Sequence, residues 1–227
     1  MKYTFRFLWI VALCSVLSSV LSAGVVYTNN FESPVGAEWN TTSRVTTSND
    51  LVTNILGEFT NFTATLTLTG LAAHTSVTVD FDLFALDSWD GNSTSFGPDF
   101  FAVMNGGTVL FETTITNFSC TACQSFPGPF ESSNDGRTGA TPGISNLGFN
   151  TGFPDGIYHM TQTFAHNTST LTLGFRGRNL QGIGDEGWGL DNVSVSTDAT
   201  TGVPEPGTLT FLIGGGALLL GLSRRRL

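Results

Sequence analysis

Strict alternation of apolar and polar residues is the strongest constraint on the fold of this chain. From Phe62 to Thr69, Phe62, Ala64, Leu66 and Leu68 alternate with Thr63, Thr65, Thr67 and Thr69. A second run sets Val77, Val79, Phe81, Leu83 and Ala85 against Thr78, Asp80 and Asp82, then against Phe84 and Leu86. Leu171, Leu173 and Phe175 alternate with threonine, glycine and arginine, and Trp188, Leu190, Val193 and Val195 close the pattern. Successive side chains of a strand point to opposite faces, so such runs put one face on a core and the other on water. Threonine, valine and phenylalanine suit that half-buried pleat, and glycine, asparagine and proline punctuate between the runs. Away from the chain ends no stretch holds a 3.6-residue period. The expectation is an all-β domain, a two-sheet β-sandwich. Phe126 to Gly156, rich in Pro, Gly, Ser and Asn, reads as a long surface excursion with at most one short strand. No internal repeat is visible.

Both ends break the pattern. Lys2 and Arg6 precede an apolar run from Phe7 to Leu21 and the small residues Ser22, Ala23 and Gly24. This is the layout of a secretory signal peptide, residues 1–23, with cleavage expected after Ala23; a retained amino-terminal helix is the alternative. At the other end Pro204, Glu205 and Pro206 precede an uncharged stretch from Thr208 to Leu222, which Arg224, Arg225 and Arg226 follow. As a helix, 208–222 reaches about 21 Å at about 1.5 Å per residue, short of a hydrocarbon core of about 30 Å. Snorkelling arginines and local thinning close the gap. Gly214, Gly215 and Gly216 make this transmembrane helix a poor permanent anchor. Cationic residues at both ends favour the cytoplasmic side, which places the middle of the chain beyond the inner membrane. The division expected is a β-sandwich over 24–197, a linker over 198–203 and a carboxy-terminal segment over 204–227 that carries the transmembrane helix.

The segment from Val203 to Arg226 resembles the PEP-CTERM sorting signal of Gram-negative bacteria: the tripeptide, the short apolar helix and the arginine cluster follow in order. The resemblance implies an exported protein with a transient inner-membrane anchor, cut near Pro204, Glu205 and Pro206 by exosortase. It implies a final place at the cell surface or in the extracellular matrix, linked to exopolysaccharide or biofilm. Signal peptidase is the processing partner at the other end.

The whole chain carries a formal net charge of −9. Between the two ends there is no lysine, only Arg44, Arg137, Arg176 and Arg178, against every acid except Glu205. Phosphate binding needs a basic face, so this balance points away from nucleic acid and towards a divalent cation. Cys14 leaves with the signal peptide. Cys120 and Cys123 remain, and outside the membrane a small local disulfide is the expectation. A redox pair or half a zinc site is the alternative, without a second pair or a strand-to-helix context to support it. Six Asn-x-Ser/Thr sequons reflect a Thr/Ser/Asn-rich surface, since the bacterial sorting signal argues against glycosylation.

Ten acids and no basic residue lie between Arg44 and Arg137. The densest run is Asp80, Asp82, Asp87 and Asp90, closed by Asn92 around Trp89 and Gly91 and followed by Asp99; Asp87, Asp90, Asn92 and Asp99 are its candidate ligands. Crowded carboxylates without counter-charge are either screened by water or joined by a cation. The oxygen-rich turn suits calcium, although the EF-hand order of acids is missing; a solvated loop is the alternative. A second candidate joins the domain ends, where Asn30, Phe31, Glu32 and Trp39 open the domain and Trp188, Gly189, Leu190, Asp191 and Asn192 close it. This pairing resembles the jelly rolls of galactose-binding-like carbohydrate-binding modules. The resemblance implies a structural calcium held by Glu32 and Asp191 between the terminal strands; the alternative leaves both on the surface.

A sugar ring stacks on an exposed aromatic face. Trp89 is the leading platform expected from sequence, Phe96 a weaker one, and Trp39 and Trp188 are expected in the core. His74, His159 and His166 lack metalloprotease spacing, there is no Gly-x-Ser-x-Gly elbow, and the glycines from Gly174 to Gly189 lack the setting of a phosphate loop. Asp87, Asp90 and Asp99 contain a glycosidase-like pair only by number. No catalytic residue is assigned. The reading is an exported structural or adhesive β-sandwich, calcium-stabilised and associated with exopolysaccharide. The alternatives are a carbohydrate-binding module using Trp89 and, beyond that, a polysaccharide-processing enzyme.

Overall fold

The computed structural model describes residues 24–150 and 152–198. The expected signal peptide (1–23), the remainder of the linker (199–203), the motif Pro204, Glu205 and Pro206, the helix 208–222 and Arg224, Arg225 and Arg226 lie outside the described residues.

Ten strands and no helix occur among the described residues. They are β1 (Gly24–Asn29), β2 (Arg44–Thr46), β3 (Asn54–Phe59), β4 (Thr63–Thr69), β5 (Ser76–Asp87), β6 (Phe100–Asn105), β7 (Thr108–Thr114), β8 (Gly156–Ala165), β9 (Thr170–Arg178) and β10 (Glu186–Thr197). One sheet runs β2-β3-β10-β5-β8, with β1 also on β10; the other runs β4-β9-β6-β7. Every pairing is antiparallel. The two sheets form the sandwich that the alternation predicts.

The period-two reading holds in detail along β5. Val77, Val79, Phe81, Leu83 and Ala85 join the core between the sheets, together with Ala64 and Leu66 of β4, Leu171, Leu173 and Phe175 of β9, and Trp188, Leu190, Val193 and Val195 of β10. Trp188 donates its indole N–H to the Thr60 carbonyl at 2.7 Å. It fits because Gly177 stands opposite: a Cβ there would collide with the indole ring. Trp39 is buried too, its indole N–H on the Tyr27 hydroxyl at 2.7 Å.

Phe84 and Leu86 face the other way, and they explain the long segment before β8. With Ile55, Leu147 and Ile157 they form a second, smaller apolar cluster on the outer face of the first sheet. The segment is therefore not a plain surface excursion. It covers apolar residues that the sheet cannot bury between its layers. Arg137 holds it in place, donating to the carbonyls of Asn117 (2.8 Å), Asp155 (3.1 Å) and Ile144 (2.7 Å). Asp198, at the start of the expected linker, accepts from the backbone N–H groups of Thr75 and Ser76, each at 2.8 Å.

Candidate metal centre

Three carboxylates converge at one end of the sandwich. Asp90 follows β5 and bridges Thr116, Asp99 precedes β6, and Glu186 opens β10. One oxygen of each lies within 4.8 Å of the others. Asp99 and Glu186 are fully buried (0 % exposed) and Asp90 is half-buried. Asp99 Oδ2 accepts the Asp90 N–H and Glu186 Oε2 accepts the Gln181 N–H. Asp99 Oδ1 and Glu186 Oε1 find no donor on any other group, and the two carboxyls lie within reach of one another to share a proton. Among the described residues no arginine or histidine forms an ion pair with any of the three.

Buried acceptors without donors are rare, because each forfeits its hydration for nothing in return. Burial first, then the negative charge of its neighbours, pushes both the Asp99 and the Glu186 carboxyls well above the usual carboxylate range. Asp90 is raised as well, by burial and by Asp185. A proton or a cation relieves such a group. The donor set is oxygen only, which selects a hard cation over zinc or copper. Oxygens ligating calcium at about 2.3–2.6 Å stand at most about 5 Å from one another, the spread found here. The residues present fit calcium.

The loop carrying Asp90 and Asp99 is shaped from outside. Gly91 has φ +63, a conformation that suits glycine, and a Cβ there would strike the carbonyl oxygen of Cys123. The same carbonyl accepts the Asn92 N–H at 2.7 Å, and the Gly91 carbonyl accepts the Asp99 N–H at 3.0 Å. Cys120 and Cys123 are joined by a disulfide, so a four-residue covalent loop braces the acidic turn.

The structure gathers the sequence candidates only in part. Asp90 and Asp99 come together; Asp87 and Asn92 do not join them. Asn92 turns its amide oxygen to the hydroxyls of Thr114 and Ser125. Asp87 Oδ1 accepts the Asn150 N–H at 3.0 Å in a separate cavity. Glu186 was missing from the expected set, and its only sequence signal is the pair Asp185-Glu186 ahead of a strand. Glu32 and Asp191 meet through Thr53, whose hydroxyl lies 2.8 Å from Glu32 Oε1 and 3.2 Å from Asp191 Oδ2. Glu32 also accepts from the Asn54 N–H at 2.9 Å and the Asn54 amide at 2.6 Å, which lowers its pKa. Burial raises Asp191 to about 6. These two acids share donors, in contrast to the orphaned oxygens of the first cluster.

Trp89 requires a correction. It is 0 % exposed, with its indole N–H donated to the Gly187 carbonyl at 2.7 Å. An enclosed ring presents no face to a sugar. Of the two aspartates that suggest an exposed turn, Asp90 belongs to the acidic cluster and Asp87 to a separate cavity, and the tryptophan fills the core beneath them. Phe96, the weaker platform, is 65 % exposed.

No protein-family model matches this chain, and no curated protein matches it in sequence. Among solved structures, it is similar to a carbohydrate-binding module of Cellvibrio mixtus lichenase 5A in complex with cellotriose. That match has 12 % identity and a TM-score of 0.38, covering 77 % of this chain and 98 % of that one. It is also similar to the K3 cleaved adhesin domain of Lys-gingipain from Porphyromonas gingivalis, at 12 % identity and TM-score 0.38, covering 77 % and 99 %. A third is a Caldicellulosiruptor saccharolyticus carbohydrate-binding module in complex with mannohexaose, at 17 % identity and TM-score 0.32, covering 78 % and 90 %. Likeness of this degree carries no argument about this chain's ligand or mechanism.

Proposed function

We propose that this chain is an exported cell-surface or matrix protein whose β-sandwich is held rigid by calcium at Asp90, Asp99 and Glu186. Its work is structural or adhesive, within an exopolysaccharide matrix. The observation that carries the metal reading is the pair of buried, unpartnered oxygens, Asp99 Oδ1 and Glu186 Oε1, converging with Asp90. The address rests on the two chain ends and their resemblance to export and sorting signals. A matrix protein that must hold its shape outside the cell gains from an ion binding only the folded state. Such a ligand stabilises by about 2.7 kcal/mol at a hundredfold excess over its dissociation constant.

Calorimetry with calcium and with chelator tests the metal. The expected outcome is a rise in Tm of about 5–10 °C on adding calcium, from about 2–4 °C per kcal/mol in a domain of this size. No rise at millimolar calcium rejects the metal reading. Mass spectrometry of the protein recovered from its host tests the address, with cuts expected after Ala23 and near Pro204. Uncut chain in the cytosol rejects it.

A further inference from the structure

A second pair of acids, Glu58 and Asp87, faces a cavity of its own of about 370 Å³, although Asp87 pairs with Glu186 of the candidate metal centre in the β5–β10 register. Glu58 lies on β3 and Asp87 at the end of β5. Phe149 and Asn150, from the segment that covers the sheet, and Ile183 and Gly184, from the loop before β10, complete the wall. Asp87 is fully buried, and its Oδ2 has no hydrogen-bond partner; nor does Glu58 Oε1. The acid behind them is already satisfied: Asp155 accepts from the N–H groups of Asp87 at 2.8 Å and Leu147 at 2.6 Å. The wall is braced by Asn150, whose amide donates to the Gly184 carbonyl at 2.7 Å. Ile183 is 67 % exposed at the mouth.

Each carboxyl is raised by burial first and by neighbouring acids after it, with no basic group acting on either. Two acceptors without donors in a negative field call for a ligand that brings both donors and positive charge. A bare metal ion fits poorly. The cavity exceeds by roughly tenfold the ~30 Å³ share of one water, and two of its six lining residues are the apolar Phe149 and Ile183. A cavity of about 300–1,000 Å³ is the size that holds a small organic molecule. An apolar side chain opposite charged acceptors suits a ring with a cationic substituent.

We propose that this cavity binds a primary ammonium group carried on a sugar ring, the cationic amino sugar of a de-N-acetylated polysaccharide. The ammonium donates to Asp87 Oδ2 and Glu58 Oε1, and the ring lies against Phe149 and Ile183. The inference rests on the matrix reading for the source of the ligand, but not on the calcium site.

Titration calorimetry of the purified full chain tests it, in a polyoxyethylene detergent whose head group carries no sugar. A salt concentration of about 0.15 M screens general attraction to an acidic body. The probes are a glucosamine tetramer and its fully N-acetylated counterpart. The amine form is expected to bind at least about tenfold more tightly, a difference of about 1.4 kcal/mol. The double variant Glu58→Gln, Asp87→Asn is expected to lose that preference while keeping the Tm rise with calcium. Ile183→Arg changes only an exposed position and sets a fixed cation at the mouth; it is expected to abolish binding even if the buried pair tolerates no substitution. Equal binding of both tetramers overturns the proposal in favour of a neutral polyol. Binding of neither overturns it as well, and a preserved calcium response then shows that the metal reading stands without it. Unchanged binding in Ile183→Arg overturns the location.

Discussion

Glu186 and Gly91 act at single positions, and each makes a different demand on its neighbourhood. In Glu186→Gln the amide keeps the shape of the side chain and removes one buried charge beside Asp99. Without calcium this variant should melt at or above the parent's temperature, because a repulsive contact is gone. With calcium it should show none of the parent's increase. Paired thermal scans with and without the ion check both halves, and a variant that still gains stability from calcium would place the ion elsewhere. Gly91→Ala adds one methyl group where φ is +63 and the Cys123 carbonyl leaves no room. It should cost about 1–3 kcal/mol, read as a lower denaturation midpoint with unchanged denaturant slope. The acidic loop was legible in the sequence as a place of interest, but its membership was not. Asp90 and Asp99 flank the same turn, whereas Glu186 comes from a strand some ninety positions later, and local spacing says nothing about such a partner. Trp89 failed for a related reason. A tryptophan between two aspartates reads as exposed, and only the packing of β10 beside β5 shows that its ring is buried and its indole N–H taken up by the Gly187 carbonyl.

Strands announced themselves where one face is wet. β4, the first part of β5, β9 and the later half of β10 were readable because polar residues mark every second position. The β6–β7 hairpin was not. Residues 100–104 are all buried and run Phe-Phe-Ala-Val-Met without alternation, since the outer face is covered as well: Phe100 packs on Phe130 and under Arg178. Gly106-Gly107, between the paired Asn105 and Thr108, is the usable turn signal there. The segment before β8 misled in the opposite sense. Its composition says loop, and it is a loop, yet it buries Leu147 and Asp155 because the alternation in β5 leaves Phe84 and Leu86 needing cover. Arg137 carries much of that attachment through three carbonyls. Arg137→Ala removes charged donors and leaves partly buried acceptors unpaired, a loss of about 3 kcal/mol. Limited proteolysis should then nick the chain between 138 and 155 while the sheets stay intact; resistance equal to the parent's would show that the apolar contacts hold the cover alone.

At the scale of the whole molecule, acids are distributed into two populations with opposite effects on stability. Glu112 lies below its usual range because Arg178 and Arg176 donate to it. Asp50 and Asp198 are lowered by hydrogen bonds, Asp50's from the Ser145 and Asn146 backbone and Asp198's from Thr75 and Ser76. Their contribution is present above the ordinary carboxylate pKa and is lost as pH falls. Asp87, raised to about 6 by burial, belongs to the other population with Glu58, Asp99 and Glu186. For these the folded state holds its protons more tightly than the unfolded chain, so stability declines as pH rises from about 4 through their raised values. With chelator present, the melting temperature should therefore peak in the mildly acidic range and fall towards about pH 8. At the proposed site calcium would displace the protons on Asp99 and Glu186, and metal binding to carboxylates strengthens as protons leave. The Tm increase on adding calcium should accordingly be larger at about pH 8 than at about pH 5, shifting the optimum upwards. Glu186→Gln should flatten that difference, whereas Glu112→Gln should leave it in place and remove part of the acid-side loss. Melting curves across the range, with and without the ion, decide the matter: parallel profiles would mean that the buried acids find their counter-charge in protons alone, and that the molecule is stiffened by its two apolar clusters without a metal.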